Sequence, residues 1–82
     1  MATTWVSEGI VLTGMLKLSG NLVVVKKLGT GCYAALEASP ADVIRMRDGE
    51  CDGDSMRCLA IGKTRRECLC QINGQLEGYS PL

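Results

Sequence analysis

The first 28 residues carry the hydrophobic pattern of two β-strands joined by a turn. Apolar residues cluster in residues 8–18 and 21–28, and Ser19-Gly20-Asn21 at their junction is typical of a tight turn. Gly14 interrupts the first apolar stretch, where a bulge or a bend would suit it. The pattern therefore predicts a hairpin in which these two stretches pair.

A capping signature in the middle of the chain predicts a helix over residues 40–47. Ser39 suits the N-cap, and Pro40 suits the first helical position, where its missing N–H is not needed. Asp42 comes three residues after the serine and completes a box-like cap. The alternative is a strand, because apolar and basic residues alternate over residues 44–47.

The rest of the chain consists of short apolar segments between polar or glycine-containing turns. Residues 32–37 favour a strand over a short helical turn. Residues 56–61 and 67–72 predict two further strands joined by the basic turn 62–66. Residues 48–54 are polar, contain two Asp-Gly pairs and predict a surface loop.

These elements predict a single small β-rich domain over residues 1–82. Four to six short strands, one short helix near 40–47 and glycine-rich corners favour a mainly β fold, α+β at the margin. Its form would be a small bent sheet or a barrel of the OB-like or SH3-like kind. With one tryptophan, two tyrosines and no phenylalanine, the core must consist of aliphatic, methionine and cysteine side chains.

The composition argues against catalysis and against a membrane partner. The chain has no histidine, which removes the usual general base and the commonest metal ligand. The sequence shows no nucleophile paired with a base and no cofactor fingerprint, so we expect no enzyme, no cofactor and no small-molecule substrate. Uninterrupted apolar runs such as Leu22–Val25 are far too short to span a bilayer.

The cysteine count points to the cytoplasm. Five cysteines are an odd number, which a disulfide framework would leave with one unpaired thiol. The segment Met1–Glu8 lacks the basic region of a secretory signal peptide. We therefore expect reduced thiols in a cytoplasmic protein.

Two interpretations are open for four of the cysteines. If residues 56–61 and 67–72 form a hairpin, Cys58, Cys68 and Cys70 are small core residues on its inner face. Alternatively, these three thiolates together with Cys51 bind zinc, although the spacing differs from the usual C-x2-C pairs.

An acidic loop offers a second candidate cation site. Asp48, Glu50 and Asp52 occupy alternate positions, from which carboxylates can converge on Ca²⁺ or Mg²⁺. The position of the bidentate glutamate in such a loop is taken by Leu59, so a solvated acidic turn is the preferred interpretation.

Basic residues concentrate in or beside the predicted turn 62–66: Arg57, Lys63, Arg65 and Arg66. Only one acidic residue lies within residues 55–67, so this segment is a candidate contact for nucleic acid or for an acidic partner. A solvated loop is the alternative. Lys17, Lys26 and Lys27 would join it if the first hairpin lay beside the last.

The sequence therefore predicts a non-enzymatic binding module, a small structural or assembly subunit that acts through protein–protein contacts. Its partner would be another protein or further copies of itself. The contacts would use strand edges or an apolar patch that includes Trp5, Tyr79 and Leu82. The alternative is a small β-barrel RNA-binding protein that uses the basic strand and loop of residues 57–66.

Overall fold

One antiparallel sheet with a helix on each face makes up the fold. The computed structural model describes residues 4–7, 9–51 and 53–77. Five strands form the sheet in chain order: β1 (Thr4–Ser7), β2 (Ile10–Met15), β3 (Leu22–Gly29), β4 (Cys32–Ala38) and β5 (Arg57–Gly62). The helices are α1 (Pro40–Arg47), α2 (Arg65–Gln71) and a short 3₁₀-helix (Asn73–Gln75).

Both faces of the sheet are buried at its centre. Val23, Val24 and Val25 of β3 are consecutive and have no solvent exposure. Successive side chains of a strand point to opposite faces, so three buried neighbours require a cover on each side. Val24 packs in a cluster with Met46 of α1, whereas Val23 and Val25 pack in a cluster with Leu69 of α2.

The sheet is open. Strands β1 and β5 lie at its two edges, and they do not pair with each other in the part of the chain that the structure describes. The mainly β class and the number of strands are confirmed, but a closed OB-like or SH3-like barrel is not formed. A barrel encloses its core on one face of the sheet, whereas this sheet uses both faces to hold helices.

The first predicted hairpin is confirmed as the pair β2–β3. The pairing register shifts between Leu12 and Gly14, so the bulge predicted there is present. The bulged Thr13 is buried, and its hydroxyl donates a hydrogen bond of 3.2 Å to the carbonyl of Val23. The turn is longer than predicted, and Leu18 lies in it fully exposed to solvent.

Helix α1 and its cap are confirmed. The Ser39 hydroxyl accepts a hydrogen bond of 3.2 Å from the backbone N–H of Asp42. The backbone N–H of Ser39 in turn donates to the Asp42 carboxylate over 3.3 Å. This reciprocal pair satisfies two N–H groups that a helix start would otherwise leave unpaired, so the local sequence determines where α1 begins.

The strands predicted at 32–37 and 56–61 are confirmed as β4 and β5, but the strand predicted at 67–72 is wrong. Helix α2 occupies this segment, and the Thr64 hydroxyl caps it by accepting a hydrogen bond of 3.0 Å from the backbone N–H of Glu67. Helical spacing turns one apolar stripe towards the sheet. The buried members of this stripe are Cys68, Leu69 and Ile72.

The close approach of α2 to β5 yields a first prediction. A Cβ added at Gly62 would lie 3.1 Å from the Cβ of Glu67 and 3.2 Å from the backbone nitrogen of Cys68. We therefore expect Gly62→Ala to lower the free energy of unfolding by roughly 1–3 kcal/mol, because the helix must move away.

The matched control for this change is Gly29→Ala. Gly29 is also a strand residue, and an added Cβ would meet no atom within 4 Å. Urea unfolding should give Gly29→Ala a midpoint at or above that of the unchanged chain. Equal midpoints for the two variants would contradict the role assigned to Gly62.

Candidate functional site

The structure brings together three of the four predicted basic residues. Lys63 follows the end of β5, and Arg65 and Arg66 lie in the first turn of α2. Arg57 opens β5 and is paired with Glu37. A strand rises about 3.3 Å per residue, which separates Arg57 from Lys63 by roughly 20 Å. Arg57 is therefore not part of the same surface.

The β3–β4 end of the sheet adds further residues to this basic surface. Tyr33 of β4 pairs with Lys27 of β3 on one side and with Gly62 of β5 on the other. Neighbouring strands lie about 4.8 Å apart, so this row is roughly 10 Å wide. The surface formed by Lys27, Tyr33, Lys63, Arg65 and Arg66 is called the cationic end below.

An aromatic contact holds one arginine of the cationic end in place. The guanidinium carbon of Arg65 lies 5.1 Å from the centre of the Tyr33 ring, within the range of a cation–π interaction. Tyr33 is half-buried and packs against the core cluster beneath α2. Arg65 is half-buried as well, whereas Lys27, Lys63 and Arg66 are exposed. The contact therefore holds the charge of Arg65 beside a ring that is itself anchored in the core.

The other two lysines of the first hairpin lie elsewhere. Lys26 pairs with Ala34, which packs on the α1 face of the sheet, and its ammonium forms an ion pair of 3.1 Å with Asp54. Lys17 lies in the β2–β3 turn, at the opposite end of the sheet. Of the three lysines that could have joined the basic segment, Lys27 does so.

The residues predicted for a protein interface fall mostly outside the described part of the chain. The backbone of Trp5 belongs to β1 and pairs with Val11. The side chain of Trp5 lies outside the part of the chain that the structure describes. Tyr79 and Leu82 also lie outside the described residues. Large apolar side chains that are exposed occur at other positions: Met15, Leu18, Leu28, Ile44 and Ile61.

A half-open pocket of about 380 Å³ lies at the end of the sheet opposite the cationic end. One wall carries Glu37, whose carboxylate accepts hydrogen bonds from the Asn21 side-chain amide (2.7 Å) and the Ser19 hydroxyl (3.3 Å). These bonds tie the β2–β3 turn to β4. The residues that line the pocket are Leu16, Lys17, Leu18, Ser19, Glu37, Gly74 and Gln75.

The cysteines differ from the predicted inner-face set. Cys68 is fully buried, and its thiol donates a hydrogen bond of 3.3 Å to the carbonyl of Tyr33. Burial raises the pKa of the Cys68 thiol. Cys58 and Cys70 are exposed, so their predicted place in the core is wrong. For Cys70 the cause is the helix, because residues two apart on a helix do not share a face with each other.

The candidate cation sites gain no support from the geometry. Across residues 4–7, 9–51 and 53–77, no three Cys, Asp or Glu side chains come close enough to hold a metal ion. Asp48 and Glu50 are exposed on the acidic loop, and Asp52 lies outside the described residues.

No protein-family model, curated protein or solved structure matches this chain. None of the helices in the described residues has the length and apolar character that crossing a membrane requires. Tyr33 is not among the site residues that the sequence predicts, and no local signal indicates its contact with Arg65.

The buried thiol gives a pH prediction. The raised pKa means that the folded state favours the neutral thiol of Cys68. This stabilisation is complete below the ordinary thiol pKa of about 8.5 and is lost as pH rises through the raised value. The free energy of unfolding should therefore fall between pH 8 and pH 10, and more steeply than in Cys68→Ala.

Urea unfolding at each pH measures this difference. Cys70→Ala is the matched control, since Cys70 is exposed on the same helix and the variant should keep the slope of the unchanged chain. Parallel pH profiles for the unchanged chain and Cys68→Ala would contradict the assignment.

Proposed function

We propose that the chain is a non-enzymatic binding module of the cytoplasm, a small subunit of a larger assembly that acts through protein–protein contacts. The observation that supports this most is the exposure of Ile61, at 59%, on the edge strand β5. Both faces of the sheet are covered by the chain's own helices, which leaves edges and ends for contact with partners. All five cysteines are free thiols, as in reduced cytoplasmic proteins.

Side chains rather than backbone groups would make most of the contact at β5. The side-chain amide of Gln71 donates a hydrogen bond of 2.8 Å to the carbonyl of Ile61, which occupies one edge acceptor. The register of β4–β5 also shifts between Ala35 and Leu36, and such bulges hinder the addition of a further strand. The exposed Ile61 side chain is therefore the better anchor for a partner.

Association of the chain with itself tests this proposal. Native mass spectrometry at increasing concentration should show multiples of 8.8 kDa, and Ile61→Lys should return the protein to the monomer. The matched control is Ile44→Lys, because Ile44 is 49% exposed but lies on α1. A monomer at all concentrations, or equal effects of both variants, would contradict self-association through β5.

RNA binding is the second candidate function. The cationic end supports it, because this surface gathers four cations around a half-buried aromatic ring. The whole chain has no net charge, so the sheet end differs in charge from the remaining surface. Local rather than overall charge would attract the phosphate backbone.

Salt dependence tests the second candidate. About three phosphate contacts on a single strand predict a roughly twentyfold loss of affinity between 50 and 200 mM salt. Changing Lys63, Arg65 and Arg66 together to glutamine should abolish binding in a fluorescence anisotropy titration. Binding that survives in the triple variant would exclude the cationic end as the RNA contact.

A further inference from the structure

We infer that the cationic end binds single-stranded RNA, with the Arg65–Tyr33 stack as the platform for an unpaired base. The exposed side chains of Lys27, Lys63 and Arg66 would contact the phosphates around it. This inference rests on the second candidate function, RNA binding, and names the strand type and the residues that recognise it.

The charges of the two helices supply the first argument. Helix α1 follows the favourable pattern, with Asp42 in its first turn and Arg45 and Arg47 in its last. Helix α2 also has an acidic residue, Glu67, in its first turn, but it adds Arg65 and Arg66 there, where the helix dipole disfavours positive charge. The two arginines therefore oppose the dipole of a helix that otherwise begins with a favourable residue, which points to a role for them besides stability.

The Arg65–Tyr33 stack supplies the second argument. A guanidinium plane supported by an aromatic ring is a surface on which an unpaired base can stack. A carboxylate binds the N–H edge of a guanidinium and makes no use of its face, whereas an unpaired base stacks on that face. The stack therefore favours nucleic acid over an acidic protein.

The placement of α2 favours a single strand over a duplex. An element that reads base edges in a duplex must project into a groove, and the faces of the bases are hidden in the stack of a duplex. Helix α2 lies against the sheet, where it buries Cys68 and Leu69. A row of about 10 Å across three strands fits the backbone of one extended strand.

Fluorescence anisotropy with a labelled uridine-rich 12-nucleotide RNA tests the phosphate contacts. Lys63→Gln/Arg66→Gln should weaken binding at 50 mM salt roughly tenfold. The matched control is Arg45→Gln/Arg47→Gln, which removes the same charge from exposed positions on α1 and should leave the affinity close to that of the unchanged chain. The same RNA annealed to its complement should bind much more weakly.

Arg65→Lys tests the stacking surface. Lysine keeps the charge but lacks the flat guanidinium, so RNA affinity should fall roughly fivefold or more. Affinity for heparin, a polyanion without bases, should stay unchanged. Thermal melting of each variant establishes that it is folded, and Arg66→Glu should melt slightly higher while losing RNA binding, because it removes charge that opposes the helix dipole.

Several results would overturn the inference. These are duplex RNA bound as tightly as the single strand, equal losses in the two double variants, an unchanged affinity of Arg65→Lys for RNA, or polyglutamate bound as tightly as RNA. If the chain binds RNA but none of these variants changes the affinity, the assignment of the site is wrong and RNA binding itself still stands. If the chain does not bind RNA at all, both this inference and the second candidate function are wrong. Assembly through Ile61 is a separate proposal, which native mass spectrometry tests.

Discussion

The burial of strand β3 on both faces is the constraint on which the rest of the structure depends. Val23, Val24 and Val25 have no contact with solvent, so helices must cover the sheet from both sides. A core without phenylalanine has only small and medium side chains to fill it, and such side chains pack well only when backbones come close. Gly62 permits this approach where α2 crosses β5.

This arrangement also determines where the protein can meet other molecules. Once α1 and α2 cover the faces, the sheet offers its edges and its ends. The edge strand β5 carries an exposed Ile61, but a bulge and the side chain of Gln71 limit the backbone groups available for another strand. The cationic end does not depend on free backbone groups. It combines the exposed charges of Lys27, Lys63 and Arg66 with the contact between Arg65 and the Tyr33 ring.

Local signals in the sequence were reliable where local contacts form the structure. The serine and aspartate at the start of α1 bond to each other's backbone, so three residues suffice to predict the helix. The same type of signature, Thr64 followed three residues later by Glu67, stands at the start of α2 and is a local signal for this helix. The alternation of Cys68, Cys70 and Ile72 with polar residues indicated a strand instead, because a short segment fits both periods.

The sequence by itself determined the β-rich class, the β2–β3 hairpin with its bulge, helix α1 and the chemistry that a chain without histidine lacks. Only the tertiary structure decided that the sheet stays open, that Cys58 and Cys70 face solvent, and that Lys27 and Tyr33 join Lys63 while Arg57 does not. The reason is physical. Caps and tight turns are contacts between near neighbours, whereas the faces and ends of a sheet are composed by the pairing of strands that lie far apart along the chain.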